Sequence, residues 1–153
     1  MNLISNYYRQ ILNFLHYLLF GLFAYASFSK LSDFDVFVNN LDKSPFFTGL
    51  NTSLLAGLLI FGELIIMIFI FFEKTSQLGY FLSFLLFLLF TGYILLIFKF
   101  SPYIPCSCGG LIDKLSWGQH IYFNILFMLI SIVLFFCADK FQNDGATTKK
   151  KMV

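Results

Sequence analysis

The chain has 153 residues, of which 59% are hydrophobic and only 12% charged, with a mean hydropathy of +0.82. A soluble domain carries roughly 25% charged residues, and a monomer in water avoids a surface that is apolar nearly throughout, so this composition excludes a water-soluble globule. The net charge of +2, with no basic stripe outside the last few residues, is too small to argue for a nucleic-acid partner. Three cysteines do not make a secreted disulfide scaffold here, because such scaffolds lack helix-length apolar runs.

A helix that crosses a bilayer needs about 20 mostly apolar residues. Four segments qualify: about Tyr8 to Phe28, Leu54 to Phe72, Leu78 to Phe98, and Trp117 to Ala138. All four are apolar around the whole circumference, as lipid-facing helices are, and none alternates as a barrel strand must. The expected fold is an all-α integral membrane four-helix bundle over residues 1–142, followed by a polar, disordered tail over 143–153. The first run ends in Ala24-Tyr25-Ala26, which has the small-residue pattern of a signal-peptide cleavage site. Asn13 and His16 within that run favour a retained spanning helix.

The links differ. Ser29 to Asn51 is polar, yet Phe34, Phe37, Val38 and Leu41 keep helical spacing, which predicts a short helix lying at the membrane interface. Glu73 to Gln77 is tight and pairs the second and third spans antiparallel. Lys99 to Ser116 holds Pro102, Pro105, Cys106, Cys108, Gly109 and Gly110, a structured turn region. Ser116-Trp117-Gly118-Gln119 then reads as a capping box opening the fourth span. With the N-terminus inside, the inner side holds Arg9, Lys74, Lys140, Lys149, Lys150 and Lys151, and the outer side Lys30, Lys43, Lys99 and Lys114. Six against four places both termini in the cytoplasm and the cysteine-bearing link outside, where thiols can be oxidised. The lysine tail then sits against anionic headgroups.

Cys106-Ser107-Cys108 is the sharpest chemical signal. A disulfide needs Cα atoms within about 7 Å, so two cysteines this close pair only if the chain turns, and Pro105 and Gly109-Gly110 supply the turn. A strained, exposed disulfide exchanges readily, and the start of the following helix lowers the pKa of a nearby thiol. Redox exchange is therefore the leading reading. A metal or inert thiol site and a structural staple are the alternatives. A metal would need more ligands than nearby Asp113 and His120, and so short a loop removes little chain entropy when stapled. Cys137 lies inside an apolar run, where a lone cysteine behaves as a small apolar residue.

Glu63 falls at the centre of the second span, where a carboxylate is costly and marks function or an interhelical hydrogen bond. Its expected partner is His16, read as lying at similar depth, or Lys30. On the first span Asn13, His16, Ser27 and Lys30 share roughly one face, which looks into the bundle. His120 and Asn124 share a face of the fourth span, continued by Ser131. His120 is placed to take protons from the thiols or to bond a quinone carbonyl, while Asn124 has interhelical packing as its plainer role. Trp117 reads chiefly as an interfacial anchor. Cys106, Cys108 and His120 are thus the catalytic candidates. Glu63, His16, Lys30, Trp117 and Asn124 are the cofactor-binding ones, with quinone the candidate cofactor.

Four helices, Ser29-Lys30, a central Glu63, Pro105-Cys106-Ser107-Cys108-Gly109-Gly110, Trp117 and Asn124 together resemble the methylamine-utilisation MauE group of DoxX-like membrane proteins, over about Tyr7 to Phe136. The family's usual Cys-x-Cys-Phe-Gly reads here Cys-Ser-Cys-Gly-Gly, with Gly109 in place of the Phe. The resemblance implies a bacterial inner-membrane protein associated with thiol–disulfide chemistry that helps mature an exported protein. The first functional expectation is thus a membrane thiol–disulfide oxidoreductase, with an extracytoplasmic thiol or thioredoxin-like protein as partner. A second cysteine pair is missing from the chain, so that partner, or direct transfer to the cofactor, would stand in for it. The alternative is a non-catalytic subunit of a larger membrane complex, with the cysteine loop as a clasp for a client or a metal.

Overall fold

The computed structural model describes residues 2–44, 46–47, 49–100 and 117–150, and within these the side chains of 6–97, 99 and 118–138. Five helices follow in order: α1 (Asn2–Ser32), α2 (Phe34–Asp42), α3 (Thr52–Phe71), α4 (Ser76–Phe100) and α5 (Trp117–Lys150), with no strand among the described residues. Four stretches are long and apolar enough to cross a membrane, Asn6–Ser32, Thr52–Phe71, Ser76–Ile97 and Gly118–Ala138. The all-α bundle expected from composition is what forms. The last span stops at Ala138, and α5 continues from there through the polar segment to Lys150.

Local chemistry sets the helix ends. The Asn51 side chain accepts a hydrogen bond from the Leu54 N–H at 3.1 Å, so α3 opens at Thr52, two residues before the apolar run suggests. At the far end of α3 the Thr75 hydroxyl donates to the carbonyls of Phe69 at 3.1 Å and Phe72 at 3.3 Å, supplying donors for carbonyls that have lost their helical partners. The four-residue turn 72–75 then feeds α4, which passes close to α3 at Gly79. A Cβ there would lie 2.8 Å from the Ile70 nitrogen, so only glycine admits this approach of α3 and α4. Asp33 alone, at φ −117 and ψ 45, separates α1 from α2.

The spans pack as a ring in which α1 touches α3 and α5, and α4 touches α3 and α5. In lipid no hydrophobic driving force holds helices together, so contact rests on van der Waals fit, small residues and interhelical hydrogen bonds. The core runs through Leu12, Leu19, Phe23, Ile66, Ile70, Tyr80, Phe87, Phe127 and Leu134. Phe23, Phe87 and Phe127 meet at its middle, with ring centroids 5.6 Å apart for Phe23–Phe87 and 5.9 Å for Phe87–Phe127. Leu54, Leu58, Phe61, Leu89, Tyr122 and Phe136 point outward, the positions lipid tails would cover.

Two ends of the bundle need names: the proximal end, where α1 begins and α3 joins α4, and the distal end, where α1 finishes and α4 and α5 are joined. The expected interfacial helix is α2, which lays Phe37 and Leu41 against Ala56 and Ile60 of α3 at the distal end. The segment after it closes over α4. The Tyr93 hydroxyl donates to the buried Ser44 hydroxyl at 2.8 Å, and the Phe47 ring stacks on Tyr93 at 5.4 Å.

Candidate functional site

Polar side chains buried in a membrane bundle fall into two kinds here. Ser83, Thr91 and Ser131 donate to the carbonyl four residues back in their own helices, at 2.7, 2.7 and 2.8 Å, and so need nothing else. Ser27, Lys30, Glu63, His120 and Asn124 are also buried, and all belong to the distal half.

Lys30 and Glu63 form a buried ion pair between α1 and α3. Side chains on a helix tilt toward its N-terminus. On α1 that direction runs from the distal end into the bundle, and on α3 it runs toward the distal end, so the lysine reaches in and the glutamate reaches up to meet it. The Lys30 ammonium lies 5.6 Å from the Phe37 ring centroid and 5.8 Å from that of Phe90, within the range of a cation–π contact. Ser27, one turn before Lys30 and fully buried, stands beside the same carboxylate. Of the two partners expected for Glu63, the structure supplies Lys30.

His16 goes elsewhere. Its Nδ1 shares a 2.7 Å hydrogen bond with the Tyr80 hydroxyl of α4, with the two rings edge to face. Fourteen residues separate His16 from Lys30 along α1, about 21 Å of axial rise. The similar depth expected for His16 and Glu63 is therefore corrected: His16 belongs to the proximal half, because Tyr80 is in the second turn of α4. Nothing in the sequence pointed to Tyr80. A contact between residues 64 apart on helices that are not ring neighbours leaves no spacing signal.

Asn124 and His120 occupy successive turns of the inward face of α5, and both are buried. Their level follows from the aromatic layer. Asn124 is one turn distal of Phe127, as Ser27 is one turn distal of Phe23, which puts them roughly 4.5 and 6 Å above the three joined rings. Ser131 continues the α5 face on the proximal side of that layer. Cys137, near the proximal end of the last span, shares a 2.9 Å contact with the Tyr8 hydroxyl.

Cys106 and Cys108, with Pro105, Gly109, Gly110, Asp113 and Ser116, lie outside the described residues. Trp117 is the first residue of α5 and its side chain lies outside them too. The helix ends that bracket the cysteine-bearing link, Phe100 and Trp117, both stand at the distal end. No group of three metal-binding side chains occurs among the described residues.

A ring of four apolar helices closed around a buried ion pair defines a multi-pass membrane protein of the α-helical class. A family model described as methylamine utilisation protein MauE matches residues 8–137, which take in nearly the whole of the four spans and the link between α4 and α5. The chain belongs to the MauE family. No curated protein and no solved structure matches it.

Proposed function

We propose that the chain is a membrane thiol–disulfide oxidoreductase, or redox-maturation factor, whose reactive group is the Cys106–Cys108 pair. The observation that carries this reading is the pair itself, set between Pro105 and Gly109-Gly110 in a MauE-family chain. The helix ends on either side of it stand over the half of the bundle that holds the buried polar side chains Ser27, Lys30, Glu63 and Asn124. That distal end is the extracytoplasmic face of a bacterial inner membrane in this reading, in line with the lysine and arginine bias.

In the reaction proposed, a client thiolate attacks one sulfur of the Cys106–Cys108 disulfide. The S–S bond breaks and a mixed disulfide forms. A second client thiolate then displaces the cysteine and leaves the client oxidised, with Cys106 and Cys108 as a dithiol. Two electrons and two protons must leave that dithiol before its S–S bond re-forms, and a lipid-soluble quinone is the acceptor that matches both counts. His120, at the distal start of α5, is the residue assigned to move protons between the two. The client is an exported thiol protein or a thioredoxin-like carrier, which would bring the second cysteine pair that this chain lacks.

The test is the redox state and midpoint potential of Cys106 and Cys108 in purified membranes, by thiol trapping against a glutathione series with and without added quinone. The expected result is a reversible two-electron couple that quinone reoxidises. Thiols that never pair would overturn the reading in favour of a non-catalytic subunit of a larger complex, whose partners should stay bound when both cysteines are serine.

A further inference from the structure

We infer that the space around the Lys30–Glu63 pair is a binding chamber for an uncharged, planar carbonyl compound, the head group of a quinone. This deepens the proposed function and rests on it for the electron acceptor, but the chamber is argued from its own residues. Ser27, Lys30, Glu63 and Asn124 expose 0%, 4%, 2% and 4% of their surface. Buried polar atoms are almost always hydrogen-bonded, and one left open in an apolar medium costs more than the bond itself contributes. Three atoms here lack a well-formed hydrogen bond: the Ser27 hydroxyl beside the Glu63 carboxylate, the second oxygen of that carboxylate, and the amide nitrogen of Asn124 at the same level as Ser27. By contrast, Ser83 and Ser131, on the proximal side of the aromatic layer, are satisfied within their helices, and so is Thr91 one turn distal of it.

The chemistry of the open groups selects the ligand. Lys30 and Glu63 balance each other's charge, so a free anion meets the carboxylate and a free cation meets the ammonium, and a neutral ligand meets neither penalty. Donors are at hand, because the Lys30 ammonium has three N–H groups and only one is taken by Glu63, while Ser27 and Asn124 add an O–H and an N–H. A carbonyl oxygen accepts from these donors. The reduced form of the same ligand carries a hydroxyl there, which Glu63 can accept from. The walls are aromatic: Phe37 and Phe90 flank the ammonium, and the joined rings of Phe23, Phe87 and Phe127 form the floor. Flat rings stack favourably on such walls. A lipid-soluble ring with opposed carbonyls meets all of these conditions, and it reaches the chamber through the medium in which the protein sits.

The experiment uses the full-length protein in lipid nanodiscs, titrated by calorimetry with a decyl-substituted benzoquinone and with its dimethoxybenzene counterpart, which keeps ring and tail but has no carbonyl. Asn124→Leu and Ser27→Ala leave the ion pair intact and should each weaken quinone binding about five- to tenfold, the loss of one or two net hydrogen bonds. Glu63→Gln is expected to weaken it further, and Ser131→Ala to leave it unchanged. The dimethoxy compound should bind at least about tenfold more weakly than the quinone. Equal affinity for the two compounds, or unchanged affinity in both Asn124→Leu and Ser27→Ala, would overturn the inference and leave the chamber to water. A chain with Cys106→Ser and Cys108→Ser separates the two proposals. Quinone binding that survives this change, beside cysteines that show no redox couple in the native chain, sinks the thiol chemistry alone. A quinone-reoxidised couple with binding indifferent to Asn124 and Ser27 sinks the chamber alone.

Discussion

The Lys30–Glu63 pair is stable as a pair and costly to break. Removing one member leaves the other charge buried at 4% or 2% exposure, a loss of about 3–5 kcal/mol, whereas removing both leaves none. Lys30→Met and Glu63→Gln should therefore each cost about that much in reversible unfolding from detergent, and the double variant should recover most of it. A double variant as unstable as the sum of its parts would show that the two side chains act independently. At the other end, Tyr80→Phe removes the hydroxyl bonded to His16 and should cost about 0.6–1 kcal/mol in the same assay. Glu63 was legible in the sequence because a carboxylate inside a 20-residue apolar run has no innocent explanation. Lys30 was legible only as one of two partners, since residue number does not say how far along the bundle two helices are offset. Ser27 shared the expected inward face with Lys30. Phe37 and Phe90, which frame the ammonium, are hidden among 23 phenylalanines that look alike in one dimension.

Helices were the most readable level. The four spans follow from runs of apolar residues, and α2 follows from Phe34, Phe37, Val38 and Leu41, two of which bury against α3 as that spacing requires. What the pattern could not give is closeness. Gly79 looks like any glycine of a membrane helix, yet it alone among the glycines described meets backbone from a neighbouring helix where its Cβ would be. Gly79→Leu should push α4 away from Ile70 and cost more than about 3 kcal/mol, well above Gly57→Leu, whose Cβ meets open space. Thermal unfolding of the two variants in the same nanodiscs makes the comparison. Equal losses would mean that α3 and α4 are held apart by something other than this contact.

For the whole molecule, the order of helices around the ring and the side that faces the cytoplasm are separate questions. The ring follows the order of the chain, each span packing on the next and the last on the first. The facing rests on a small lysine and arginine bias. Single cysteines at exposed Asn39 on α2 and at exposed Lys74 in the proximal turn, in a chain whose own cysteines are serine, decide it. A membrane-impermeant maleimide added to intact cells with a permeabilised outer membrane should label the Asn39→Cys chain and spare the Lys74→Cys chain. The reverse pattern would turn the bundle over and put Cys106 and Cys108 in a reducing compartment, which would end the proposed chemistry.

The joined rings of Phe23, Phe87 and Phe127, with Leu19, Ile66 and Ile70 on their proximal side, do more than shape the core. They are a plug without a titratable group, set between the distal polar groups and His16–Tyr80. Protons released or taken up at the distal end in the proposed reaction therefore exchange with the distal aqueous phase and do not traverse the bilayer. A charge that does not cross the membrane field gains nothing from it, although each one that did would draw about 2.3 kcal/mol per 100 mV. Turnover in proteoliposomes should thus be indifferent to an imposed voltage, and reoxidation of the thiol pair should generate none of its own.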